Sequence, residues 1–474
     1  MKKKLYILFF TIAIMAGGCK KQLNVFPTTS EVDGNVIVDT KSAQTVLNGV
    51  YYQFASGTQD YSGIPATGWF NYHEVMYSFM AGTLDYAGGG SEFELFEIDD
   101  RNSASDVLWT YNYLLVNAAN GFLKNLDPVG TIPEVRKREM QAESMFLRAF
   151  ANTQLLLTFG EYSAVNSQYG ILLRKEFVNA NNINLAQSTV AESYAFILAD
   201  LDFAIANLPL QGSQLYYANR WVAKLLKARL LINRGAVGDY AQVISLTEDI
   251  IKNSPFALEK NQRDIFWTKG FSSKEVMMSV QPYPDQQFKF LSYQQALFYA
   301  GTGLMASLFQ DDPRRQWVYT PIDDAFLGEL NEVTKYYSGD PDPNVAAPTP
   351  NVENAYAFRL SEAYLLKAEA LSLSSGDMAE AKSLLKTVVA NAGVTDFSEI
   401  DRAGTAAAIQ LLIVKEVMKN FVCENGIDWY ALRRLPFPTL KTLRPAIPDQ
   451  TRLILPVPYS ERNKNIKIKQ NPGY

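Results

Sequence analysis

Apolar positions recur at helical spacing in one stretch after another, and strand-like alternation is scarce. The spacing predicts helices over 41–55, 104–126, 134–159, 188–207, 219–234, 239–253, 353–374, 378–391 and 405–424. Two pairs share a layout. Trp221 to Lys252 runs helix, Gly238-Asp239-Tyr240, helix, and Ala355 to Asn391 runs helix, Gly376-Asp377-Met378, helix. Small residues (Ala223 and Ala228; Ala363, Ala368 and Ala370) stand where two helices must approach closely, and Gly-Asp marks each turn, as in tetratricopeptide-like units. The expected fold is mainly α, a tetratricopeptide-like helical-repeat scaffold.

Long stretches without helical spacing lie between the helices, at 57–103, 160–187, 254–352 and 435–474. Segments of that length in a compact protein usually carry function or form a subdomain. The first holds Trp69, Tyr72, Tyr77, Asp85, Tyr86 and Gly88-Gly89-Gly90. The third holds Tyr283, Tyr293 and Trp317 among other aromatics, and residues 338–352 are rich in proline and read as a turn-rich segment. No boundary separates independent domains, so 57–103 and 254–352 are read as loop insertions in one unit spanning 19–474.

Residues 5–19 form an apolar run behind Lys2, Lys3 and Lys4 that closes on Ala16-Gly17-Gly18-Cys19. The core is too short for a membrane anchor and the small residues suit a signal peptidase, so 1–18 reads as a lipoprotein export signal. Cys19 would then be the first mature residue, its sulfur carrying lipid, and more than one acyl chain would hold the protein at a membrane surface. Loss of three lysines with the signal takes the formal charge from −5 to −8, and no basic block remains to grip nucleic acid. With Cys19 lipidated only Cys423 is left, so no internal disulfide is expected.

Chemistry for catalysis is sparse. The single histidine, His73, excludes two-histidine zinc helices and any multi-histidine metal site. No Gly-x-Ser-x-Gly elbow, phosphate loop or dinucleotide fingerprint is present. Asp99-Asp100, Asp311-Asp312 and Asp323-Asp324 are neighbours in sequence, which is not the opposed acid and nucleophile that glycoside hydrolysis requires. Aromatics are abundant instead: 12% of the chain, with 26 Tyr and 6 Trp, whose flat faces with polar edges suit sugar rings or peptide side chains.

Several landmarks resemble the SusD/RagB family of surface lipoproteins. Cys19 to Pro27 is similar to the family's opening, with Asn24 where Asp is usual. Ala142-Glu143 through Arg148-Ala149 to Phe159-Gly160 is similar to its first long repeat helix. Arg359-Leu-Ser-Glu362-Ala-Tyr364 to Ala368-Glu369-Ala370 resembles its most recognisable helix, and Leu455-Pro456-Val-Pro458 with Gln470-Asn471-Pro472-Gly473-Tyr474 resembles its terminus. The chain departs from the family pattern at Glu161-Tyr162-Ser163 and near Asp428 and Ala431, positions that concern scaffold packing.

The resemblance implies a helical scaffold carrying an irregular, long-loop ligand-binding subdomain. It implies an outer-membrane lipoprotein, facing outward, that binds a glycan or other oligomeric nutrient and delivers it to a SusC-like TonB-dependent transporter. Such proteins bind without cleaving and need no cofactor. Rough alignment points to Trp69, Tyr72, Asp85 and Tyr86 on one wall of the site, with Tyr283, Tyr293 and Trp317 opposite. Two other readings stay open, a surface glycosidase or peptidase and a structural repeat lipoprotein without a small ligand. The identity of the ligand is open as well.

Overall fold

The computed structural model describes residues 36–474 except 61, 87, 294–298, 325–327, 337–350 and 375. The export signal 1–18, Cys19 and nearly all of the turn-rich 338–352 segment lie outside the described residues. Helix Thr40–Phe54 opens the description. Asp39 accepts the Ser42 N–H at 2.8 Å while Ser42 Oγ takes the Asp39 N–H at 3.0 Å, a reciprocal cap that satisfies donors at the helix start.

Most of the expected helices form within a residue or two of the positions given above. Ser103–Leu126, Glu134–Phe159, Val190–Asn207, Arg220–Arg234 and Asp239–Asn253 each pack against the next. Asp239–Asn253 then meets Leu360–Leu373, which packs in turn against Met378–Asn391 and Ala406–Asn420. The result is a mainly helical array in which two repeat pairs, distant in sequence, become neighbours. Ala223, Ala228, Ala363, Ala368 and Ala370 are all fully buried at these crossings, where a larger side chain would push the helices apart.

Bidentate ion pairs tie the array together. Arg148 grips Asp200 at 2.8 and 2.7 Å, and Arg229 grips Glu362 at 2.6 and 2.8 Å. Arg434 grips Glu369 at 2.9 and 2.6 Å. The first two each join two helices across the buried face, the third ties the turn after Ile427–Leu432 to helix Leu360–Leu373, and the fork geometry fixes relative orientation as an apolar contact would not.

Two expectations are corrected at their ends. The helix expected over 353–374 begins only at Leu360, because Ala355–Arg359 is a strand, β8, lying antiparallel to β4 (Val276–Val280) with Val276 opposite Arg359 and Val280 opposite Ala355. Both strands are buried throughout. The helix expected over 405–424 stops at Asn420, because Cys423, Asn425 and Gly426 take positive φ values of 57°, 50° and 70° and reverse the chain into a separate helix, Ile427–Leu432.

The stretches without helical spacing also hold more order than expected. β4 and β8 close the base of the long excursion, so residues 281–354 emerge as an insertion from the scaffold. A hairpin of β1 (Gly57–Gln59) and β2 (Pro65–Thr67) follows the first helix, and a wide helical turn, Phe70–Val75, leads into helix Met76–Ala81. A second sheet runs in the order β3 (Asp85–Tyr86), β5 (Tyr299–Ala300), β7 (Gly328–Val333), β6 (Tyr319–Asp324). It joins the first long loop to the insertion. Among the described residues, one connected set of buried apolar side chains runs from Ile37 to Ile468.

Candidate functional site

The seven side chains expected to line a site fall in different surroundings. Trp69 is 0% exposed, with its ring 4.7 Å from Phe54, 5.8 Å from Phe150 and 4.0 Å from His73. Tyr293 is buried against Phe70 and Tyr336, and Trp317 is buried against Phe266 and Trp267. These three are core residues in this structure, and the expectation that they wall a ligand site is corrected. Large aromatics bury the most apolar area per side chain, which is why loop position alone did not keep them at the surface. Tyr72 is half-buried, stacked on Tyr111 at 5.0 Å and 11°.

His73 belongs to the same core. Both ring nitrogens are buried without a hydrogen-bond partner among the described residues, and burial, helped by the Arg229 charge, lowers its pKa to about 3. It is neutral at physiological pH.

Asp85 and Tyr86 sit at the edge of the four-stranded sheet. The Tyr86 ring lies on Phe79 at 4.9 Å and remains 41% exposed. Asp85 is buried beside it, accepting the Tyr86 N–H at 2.9 Å, and burial raises its pKa. Arg444 closes this corner by donating to the Phe93 carbonyl at 2.8 Å.

Tyr283 is the expected residue that the structure places in an aromatic groove. The groove has a volume of about 370 Å³, within the ordinary range for small-ligand sites. Tyr51 and Tyr52 reach it from the end of the first helix, Tyr216 and Tyr217 from the segment before helix Arg220–Arg234, and Tyr283 from the exit of β4. Tyr51 and Tyr217 meet edge to face at 5.0 Å and 80°, and Tyr216 lies 4.7 Å from Tyr217. Tyr52 is 43% exposed, so its face is open to a ligand. A Cβ at Gly57 would stand 2.1 Å from the Tyr52 ring, so a larger residue there would displace that ring from its present position.

Hydrogen bonds hold the groove's segments in register. Tyr51 Oη donates to Glu143 at 2.8 Å and accepts the Ala218 N–H at 3.0 Å, fastening the first helix to the Tyr216–Tyr217 segment. Tyr217 Oη donates to Asn48 at 3.0 Å, and the Ser279 N–H donates to the Leu215 carbonyl at 3.1 Å. Buried Gln286 does the same for Tyr283. Its Oε1 accepts from the Thr67 and Tyr283 N–H groups at 3.0 Å each, and its Nε2 donates to Glu353 at 2.7 Å. Tyr283 is thereby positioned against the β1–β2 hairpin rather than left on a free loop.

Open aromatic faces beside amide and hydroxyl edges, here Asn48 and Gln281, suit a ring with one apolar face and hydroxyls at its rim. A larger cleft of about 1140 Å³ lies between residues 304–321 and the 393–402 turn, with charged side chains and no aromatic in its lining. Tyr52, Tyr216 and Tyr217 escaped the reading of the sequence because Tyr51-Tyr52 sits inside a helical pattern and Tyr216-Tyr217 in a short connector. The doubled tyrosines were the available signal. Among the described residues, no group of three His, Cys, Asp or Glu side chains could hold a metal ion. No described helix is long and apolar enough to cross a membrane.

Comparison with known proteins follows the same lines. A SusD-like family profile, described as starch-binding and associating with the outer membrane, matches residues 71–231, and the SusD family profile matches residues 332–452. No curated protein sequence matches the chain. A solved SusD superfamily protein from Bacteroides thetaiotaomicron is 21% identical, with a TM-score of 0.73 over 92% of this chain and 100% of that one. NanU of B. fragilis is 18% identical, with a TM-score of 0.71 over 95% of this chain and 100% of its own. A laminarin-binding SusD-like protein is 20% identical, with a TM-score of 0.70 over 92% and 100%. At these identities structural likeness establishes the fold, while the two profiles fall on the first repeat helices and on the Arg359–Ala370 helix that carried the resemblance. The chain belongs to the SusD/RagB family.

Proposed function

We propose that this protein captures an oligosaccharide in the tyrosine groove and passes it to a SusC-like TonB-dependent transporter, held at the outer membrane by acyl chains on Cys19. The observation that carries this reading is the convergence of Tyr52, Tyr216, Tyr217 and Tyr283 from three separate segments on one groove. Scattered surface aromatics need no explanation, but several aromatics gathered by dedicated hydrogen bonds form a binding surface. The family profile described as starch-binding and the laminarin-binding relative support a glycan as the class of ligand. The groove's described lining supplies no pair of opposed carboxyls, which supports capture over cleavage.

The test is calorimetry with oligosaccharides on the soluble 20–474 fragment. Tyr52→Ala combined with Tyr283→Ala removes two stacking faces and should weaken binding by at least 2 kcal/mol, roughly 30-fold, with little change in melting temperature. Parental affinity in the folded double variant would move the site off this groove, with the Asp85–Tyr86 corner next in line. The membrane half of the reading has its own check. Cys19→Ala should abolish labelling by a palmitate analogue, and the parent should co-purify with a TonB-dependent barrel from detergent-extracted outer membranes. Labelling equal to the parent's would remove the anchor, and a barrel-free preparation would remove the delivery step.

A further inference from the structure

The charge distribution around the groove narrows the ligand further. Among the described residues, none of the groove's lining side chains is Lys, Arg, His, Asp or Glu; every polar contact on offer is an amide, a hydroxyl or the backbone. The larger cleft at 304–321 differs, its lining holding Arg315, Arg402 and Lys415 beside acids such as Asp311 and Glu399. Arg174 and Lys175 likewise line a separate cavity beside Phe196. Cations are available elsewhere on the chain, and the aromatic groove holds none.

The acid hydrogen-bonded to the groove's wall and the cation beside that acid are already paired. Glu143 lies directly beneath it, taking the Tyr51 hydroxyl proton in a hydrogen bond at 2.8 Å, so that hydroxyl cannot be donated to a ligand anion. Arg136 is the cation on this side, and it is shared between Glu139 at 3.0 Å and Glu143 at 3.3 Å. Asp285 is exposed two residues beyond Tyr283. Asp60 occupies the turn of the β1–β2 hairpin, accepting the Ser62 and Ile64 N–H groups at 2.8 and 2.9 Å.

A carboxylate or sulfate entering this groove would lose water and meet no cation in its lining. An uncharged sugar has no charge to desolvate. It can place its apolar face on Tyr52 or Tyr283 and its hydroxyls on Asn48 and Gln281.

We infer that the groove selects uncharged oligosaccharides and rejects uronate-containing or sulfated ones. This rests on the proposed glycan-binding role of the same groove. Glu143 also gives the selectivity a fixed element, because it holds the Tyr51 hydroxyl as a donor to itself and away from a ligand anion.

The experiment is titration calorimetry of the 20–474 fragment against two panels. One holds uncharged oligomers (α- and β-glucan, mannan and xylan oligosaccharides), and the other holds oligogalacturonate, oligoalginate and chondroitin sulfate oligomers. Both are run on the parent, on the Tyr52→Ala/Tyr283→Ala variant and on Gln281→Lys. The expected result is binding by an uncharged oligomer that is lost in the double variant and changes less than twofold between 50 and 500 mM NaCl. Gln281→Lys places a cation at the exposed rim and should raise affinity for the charged panel at least fivefold. An anionic oligomer that binds the parent tenfold more tightly than any uncharged one, and is lost in the double variant, overturns the selectivity while leaving the groove as the site. Binding of either panel that survives the double variant unchanged overturns the groove itself, and the selectivity with it.

Discussion

Arg359→Met should destabilise the protein by about 3 to 5 kcal/mol, because it strands the buried Glu275 carboxylate and leaves buried Glu424 with Lys335 as its one remaining cation among the described residues. The Arg359 guanidinium is 1% exposed and reaches Glu424 at 2.6 and 2.9 Å, Glu275 at 2.7 Å, and Asn420 through both its carbonyl at 3.0 Å and its side-chain oxygen at 2.7 Å. Lys335 also pairs with Glu424 and donates to the Val422 carbonyl at 2.8 Å, so Glu424 keeps one cation after the substitution, and Glu275 keeps none among the described residues. The cluster joins the end of β8, the residue before β4 and the turn after Asn420, which are far apart in sequence. Arg359→Lys should fall between parent and Met variant, since an ammonium keeps the charge but cannot fork to both acids and to Asn420. Urea unfolding measures both. A Met variant within 1 kcal/mol of the parent would mean that the cluster does not hold this junction.

Trp69→Ala should cost about 3 to 5 kcal/mol through the cavity it leaves among Phe54, Phe150 and His73. Trp69→Phe should be much milder, because the indole N–H is buried without a partner among the described residues and its loss breaks no hydrogen bond. Trp69 lies in the segment expected to bind ligand, so the measurement also separates two roles for it. A core residue lowers the melting temperature and leaves affinity intact in the still-folded variant at low temperature. Unchanged melting with lost binding would return Trp69 to the site.

Whether Trp69 faces core or ligand could not be read from its neighbours in sequence. The helices were legible because their information is local. Period 3.6 in Arg220–Arg234 or Asp239–Asn253, and a capping residue such as Asn219 or Asp377, act within a few residues and need no distant partner. The small residues Ala223 and Ala368 were legible for the same reason, and so was the Arg359-to-Ala370 pattern, whose charged members Arg359, Glu362, Lys367 and Glu369 all prove to be buried and ion-paired.

Strand β8 was hidden inside an expected helix because Ala355–Arg359 has no alternation to show: it is buried on both faces, and its partner β4 lies some 80 residues earlier. The groove was hidden more completely. Tyr283 stood out as a loop aromatic, but Tyr52 looked like part of a helix, and nothing local marked Gln286 as the staple between Tyr283 and Thr67. Trp69, Tyr283, Tyr293 and Trp317 are similar chemically and all lie in loop-rich stretches of the sequence. Only tertiary packing sends three of them inward, where their area is worth most, and leaves Tyr283 beside Tyr52 on a groove without charge. The sequence by itself determined the helical scaffold, through spacing that each segment carries alone. Which aromatics remain free to touch a ligand was decided by contacts between segments more than 200 residues apart, such as Thr67 with Gln286, and no local pattern encodes those.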